Sequence, residues 1–231
     1  MDVAYAVNDA KIFKEYCVNT LVVEEENVFL LIIINATAGE MYQRIELVTQ
    51  ILTRLGSEGE LIFYYAGHGF PDEETKEPYL IPVDVTAINL SAAIKLNDVY
   101  SKLSQTGAKR ISIFLDACFT GGGRELGLLA ARGVKIKPKE QIVTGNMVIF
   151  SATSEDQSAF PYKDKQHGMF TYYLLKKLQE TKGDVSYKEL YEYIHRNVSI
   201  EILKVNSKPQ DPQTKVSPKV EVEWGTWKLN P

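Results

Sequence analysis

Cysteine is nearly absent from this chain: Cys17 and Cys118 are the only two among 231 residues. No disulfide framework can be built from them, and a reducing compartment, the cytoplasm, is expected. Histidine is scarce too, at three residues, and no Cys-x-x-Cys pair occurs. A structural zinc site is therefore not expected. Long apolar runs are missing. The longest, Val28 to Ile34, falls far short of the roughly 20 residues that a membrane-spanning helix needs. The N-terminus, Met1-Asp2-Val3, shows neither the basic segment nor the apolar core of a secretory signal. Basic charge is in deficit, with 26 Lys and Arg against 30 Asp and Glu, a net charge of −4. No nucleic acid and no membrane is expected as a partner. The triplet Gly121-Gly122-Gly123 lacks the Gly-Lys-Ser/Thr of a phosphate-binding loop.

What is present suits one globular domain over residues 1–231: hydrophobic residues make up 45% and charged residues 24%. Apolar runs alternate with helical patterns, which predicts an α/β fold with a mainly parallel sheet. Helices are expected over Ala6–Cys17, from the capping box at Thr37 to Leu55, from Asn97 to Thr106, over Gly168–Gln179, and from the capping box at Ser186 to Asn197. Strands are expected at Val28–Asn35, Glu60–Ala66, Tyr79–Pro82, Arg110–Asp116 and Met147–Ser151. A half-exposed edge strand is expected at Val220–Trp224. Residues 121–146 form a long loop rich in glycine and basic side chains, directly after Cys118.

Two short segments carry the chemistry. Tyr64-Tyr65-Ala66-Gly67-His68-Gly69 ends one apolar strand, and Asp116-Ala117-Cys118-Phe119-Thr120-Gly121 ends another. Open α/β sheets collect function at the carboxyl ends of their strands. A thiol there needs a base to act near neutral pH, and an imidazole titrates in that range. Taken singly, Cys118 also fits a buried structural thiol and His68 a loop histidine with a backbone partner. Jointly, flanked by glycines, they fit a nucleophile and its base. Gly69 and Cys118 are the candidate backbone donors to an oxyanion, although Gly67 and Gly69 would equally serve a tight turn. Asp116 shares a strand face with Cys118. It fits either a recess for a cationic substrate side chain or a cap on the following turn. Asp156, past the neighbouring strand, could add a second charge or be a solvated loop acid.

At these residues the chain resembles the caspase–paracaspase–metacaspase group of cysteine peptidases. Five segments carry the resemblance: Tyr5-Ala6-Val7-Asn8-Asp9-Ala10, Tyr65-Ala66-Gly67-His68-Gly69, Leu80-Ile81-Pro82-Val83-Asp84, Leu115-Asp116-Ala117-Cys118 and Phe150-Ser151-Ala152-Thr153. The resemblance implies a three-layer α/β/α sandwich and a His68–Cys118 dyad without a third carboxylate. It also implies oxyanion donors at Gly69 and Cys118. In this group an aspartate two positions before the nucleophile marks the branches that cut after Arg or Lys. Asp116 stands there, and Phe119 replaces the arginine that often follows the nucleophile in caspases. The likeness is greatest to bacterial paracaspase-like sequences. It implies peptide or protein substrates with Arg or Lys before the scissile bond, no required cofactor, and a monomer or homodimer. Some metacaspases need calcium, but no loop of the EF-hand type occurs here. Members are often cleaved in the linker after the nucleophile, where Arg124, Arg132, Lys135, Lys137 and Lys139 offer cut sites. The chain departs from the pattern in one respect: only seven residues precede Asn8, so the first strand of the family's sheet is expected to be missing. That absence also suits a different function, a caspase-like interaction scaffold with little activity.

Overall fold

The computed structural model describes residues 3–32, 36–86, 89–120, 136–154 and 157–230. In chain order it contains α1 (Ala6–Asn19), α2 (Ala38–Leu55), β1 (Glu60–Ala66), β2 (Gly69–Pro71), β3 (Pro78–Leu80) and β4 (Ile94–Lys95). There follow α3 (Leu96–Ser104), β5 (Arg110–Asp116), β6 (Met147–Ser151), β7 (Pro161–Tyr162), β8 (His167–Gly168), α4 (Met169–Thr181), α5 (Tyr187–Asn206) and β9 (Gln213–Val216). The central sheet runs β1-β5-β6-β9; the first two pairings are parallel and the last is antiparallel.

Alternation along the strands sorts the core into two layers. Ile62, Tyr64, Phe114, Val148 and Phe150 meet α1, α4 and α5 on one face. Leu61, Phe63, Ile111, Ile113, Leu115, Met147 and Ile149 meet α2 and α3 on the other. This is a mixed α/β sandwich in three layers, with β5 and β6 apolar on both faces as interior parallel strands require. Stacked rings tie the first layer together: Phe13 on Tyr64 at 4.4 Å and Phe114 on Phe150 at 4.9 Å between centroids. The capping box at Ser186 is complete. Ser186 Oγ accepts from the Glu189 N–H, and the Glu189 carboxylate accepts from the Ser186 N–H.

Two expected strands are not found among the described residues. Val28 to Ile32 belongs to none of the sheets, and Ile32 O accepts instead from the Ala36 N–H at 3.0 Å; positions 33–35 lie outside the described residues. A strand needs a neighbour to bond. Here a cavity of about 800 Å³ lies between this segment and β1, walled by Phe13 and Cys17 of α1 and by Ile45, Val48 and Leu52 of α2. Among the described residues the central sheet therefore ends at β1, beside this cavity. Val220–Trp224 is also not a strand. Pro218 opens a 3-10 turn instead; Val220 is 1% exposed and Val222 fully exposed. Val220 and Trp224 share a core contact four residues apart, a helical spacing that resembles alternation when read with Val222. The edge strand is β9, seven residues upstream, in a polar stretch with no apolar alternation.

Candidate active site

The register of β1 on β5 positions the two motifs. Ala66 pairs with Asp116 in parallel, so His68 and Cys118 each lie two residues beyond the same rung. Adjacent strands are about 4.8 Å apart. The ladder continues through the Gly67 N–H, which donates to Asp116 O at 3.4 Å. Gly69 is pressed onto the second motif: a Cβ there would lie 2.5 Å from the Phe119 ring and 2.7 Å from Cys118 O. Tyr65 braces the first motif from below, donating from its hydroxyl to His68 O at 2.8 Å. Burial raises the Tyr65 pKa, so the hydroxyl stays a neutral donor. His68 Nε2 is out of contact with solvent.

Cys118 is 3% exposed. Its Sγ lies 2.9 Å from Thr120 Oγ1 and donates to Gln157 O at 3.3 Å. Gln157 is itself clamped: its amide donates to Asp211 Oδ2 at 2.6 Å and accepts from the Asp211 N–H at 2.6 Å. Cys17, the other thiol, is buried in α1, and desolvation pushes its pKa up to about 12.

Asp116 is fully buried. Its Oδ2 accepts from Thr171 Oγ1 at 2.6 Å and from the Thr171 N–H at 3.3 Å, in the first turn of α4. Tyr64 Oη completes a chain at 2.7 Å from Thr171 Oγ1. The carboxylate therefore sits where the helix dipole favours negative charge. This is a cap of the kind weighed from the sequence, although on α4 rather than on the following turn. A second buried carboxylate, Asp9, arrives at the same helix end. It accepts from the Gly168 N–H at 2.9 Å and lies 2.6 Å from His167 Nδ1. Gly168 and Thr171 are one helical turn apart, so two buried acids converge there. In the sequence Asp9 stands within the Tyr5–Ala10 segment, near the start of the first expected helix, with no role assigned to its side chain. The available signal was an acid in line with Phe13 and Cys17 at four-residue spacing, which is the buried stripe of α1. Gln157 and Asp211 gave no signal in the sequence. Asp156 lies outside the described residues, as do Arg124, Arg132 and Lys135 of the long loop.

The later part of that loop is docked, not free. Ile136 packs against Phe70 of β2, the Lys139 N–H donates to Lys76 O at 2.7 Å, and Lys139 Nζ meets Glu77 Oε1 at 3.0 Å. Among the described residues no cluster of His, Cys, Asp and Glu could hold a metal ion. None of the described helices is long and apolar enough to cross a membrane.

A caspase-domain family model matches residues 10–222. The chain belongs to the caspase-domain family. No curated protein matches it. Two solved structures share the caspase-domain chain's fold at low identity. Protein GSU0716 from Geobacter sulfurreducens is 17% identical, with all of this chain and 89% of that one covered and a TM-score of 0.66. Caspase-1 from Spodoptera frugiperda is 13% identical, with 94% of this chain and 80% of that one covered and a TM-score of 0.64. The caspase-domain family is one of cysteine peptidases.

Proposed function

We propose that the chain is a cytoplasmic cysteine endopeptidase that uses a His68–Cys118 dyad and cleaves after Arg or Lys. The observation that carries this reading is the shared rung Ala66–Asp116, two residues short of both reactive side chains. His68 takes the Cys118 proton, and the thiolate attacks the scissile carbonyl carbon. The oxyanion is met by backbone N–H groups. Cys118 N–H is one candidate. Gly69 N–H is the other: His68 O accepts from the Ile81 N–H, so alternation leaves Gly69 in a non-hydrogen-bonded pair with its N–H turned away from β3. Collapse expels the amine, which takes the proton from His68 and leaves a thioester. Water, losing its proton to His68, then releases the acid product and the Cys118 thiol.

Basic specificity is supported by the two buried acids, Asp116 and Asp9, at the start of α4. The test is a fluorogenic panel with Arg, Lys or Asp before the scissile bond, with and without calcium. Cleavage of Arg and Lys substrates alone, equal without calcium and abolished in Cys118→Ala, is expected. Asp116→Asn should reduce kcat/KM on these substrates roughly 30-fold or more, the loss for removing one partner of a desolvated pair, while iodoacetamide labelling of Cys118 is unchanged. Preference for the Asp substrate sinks the specificity; equal loss of both readouts makes Asp116 purely structural.

The nearly complete burial of Cys118 favours one alternative, a scaffold of caspase-like fold with little activity. A reactive basic-peptide probe separates the two, because a scaffold would not be labelled at Cys118.

A further inference from the structure

The two polar neighbours of the Cys118 sulfur differ in kind. Gln157 O can only accept, so the S–H bond points at it. Thr120 Oγ1 can donate, and at 2.9 Å it is the nearer of the two. Thr120 is 2% exposed, so water does not compete for its hydroxyl. Loss of the thiol proton reverses the balance at the sulfur. The carbonyl then faces a negative charge with its lone pairs and has lost its donor. The hydroxyl gains a charged acceptor, and such bonds are roughly twice as strong as neutral ones.

We propose that Thr120 is a third catalytic group, whose hydroxyl carries the Cys118 thiolate, and that the Gln157 carbonyl is a latch holding the resting thiol protonated. This rests on Cys118 being the nucleophile. The latch is anchored from a distance. The Gln157 side chain is gripped twice by Asp211, and Asp211 Oδ1 accepts from Ser199 Oγ of α5 at 2.7 Å. The bonds from Gln157, then from Ser199, hold the Asp211 carboxyl below the usual aspartate range, so the grip is fully charged near neutral pH. Thr120 and Asp211 therefore act on the same sulfur with opposite sign: one favours the anion, and the other, through Gln157, the neutral thiol. Among the described residues, the other titratable groups of this site are His68 beyond β1 and Asp116 on β5, with His195 of α5 behind Asp211.

The test is iodoacetamide labelling of the full chain from about pH 5 to pH 9, a range that brackets the ordinary imidazole and thiol values, located by peptide mass spectrometry. In this reaction the thiolate sulfur forms a bond to carbon and iodide leaves. Cys17 stays silent, being buried with its pKa at about 12. Thr120→Val should slow labelling at neutral pH about tenfold, one charge-assisted bond's worth, and move the half-maximal pH upward; Thr120→Ser should restore both. Asp211→Ala should speed labelling severalfold and move the half-maximal pH downward. A rate loss in Thr120→Val with an unmoved pH curve, or no loss at all, overturns the role of Thr120. Slower or unchanged labelling in Asp211→Ala overturns the latch. If these shifts appear but no basic peptide is cleaved, the basic-specific peptidase reading fails, and Thr120 and Gln157 keep only their opposed effects on the Cys118 thiolate. If basic peptides are cleaved and Thr120→Val labels like wild type, only the role of Thr120 fails.

Discussion

Gly69 has no room for a side chain, and the reason lies in the other motif. Even one methyl group would collide with a ring carbon of Phe119 and with the Cys118 carbonyl oxygen. The second contact is with backbone, so a smaller neighbour at position 119 cannot relieve it. Gly69→Ala should therefore push β2 away from the nucleophile strand and cost about 1–3 kcal/mol, as other overpacked sites do. Peptidase activity should fall at least tenfold, and Phe119→Ala in the same chain should not recover it. Recovery would mean that the ring, not the backbone, sets the approach. At this scale the sequence was informative where a residue type is scarce: a thiol and an imidazole, each within three residues of a glycine and past an apolar strand. It was uninformative where a residue acts through folding. Asp9 meets α4 only because α1 lies across the start of that helix, and Gln157 faces Cys118 only because Asp211, 54 positions later, holds it. Neither pairing leaves a local pattern.

Helices and interior strands were legible because their periodicity comes from burial on both sides of a sheet. α2 spans Ala38–Leu55 behind the Thr37 cap, α5 starts at the Ser186 box, and the interior strands β5 and β6 fall on apolar runs, as does β1 at the sheet's end, flanked by α1 and α2. Elements at the margins were not legible. β9 is polar because it is an edge, and Val28–Ile32 looks like a strand but belongs to no sheet among the described residues. The long loop after Cys118 shows the same limit, since its basic residues are not equivalent. Lys137 precedes buried Pro138, and Lys139 is tied through its N–H and its ammonium to the β2–β3 turn. Wild type incubated beside Cys118→Ala should yield fragments that the variant does not. Their new ends should follow Arg124, Arg132 or Lys135, and no fragment should begin at Pro138 or Glu140. Intact bands in both lanes would remove self-cleavage altogether, and a fragment beginning at Glu140 would show that the docked segment detaches.

The whole molecule is a sandwich whose filling ends before its covers do. α1 and α2 flank a cavity of about 800 Å³ beyond β1, and among the described residues β1 has a strand on its β5 side alone. Among the described residues the candidate base His68 therefore hangs from an edge strand, while the candidate nucleophile Cys118 hangs from an interior one. β5 is held by β1 and β6 and is almost wholly buried; β1 is only partly buried along most of its length. Local opening scales with missing packing and unpaired ladder groups. Amide hydrogen exchange should therefore be slowest in Ile111–Leu115. In Leu61–Tyr65 it should be faster, because that strand is less fully buried. If β1 proves as slow as β5, burial does not separate the two strands. If β1 is the faster, His68 has the less rigid support of the two candidate side chains. The distance between base and nucleophile then depends on how firmly the Ala66–Asp116 rung is kept, and any ligand that stiffens the β1 edge should raise activity without touching either residue.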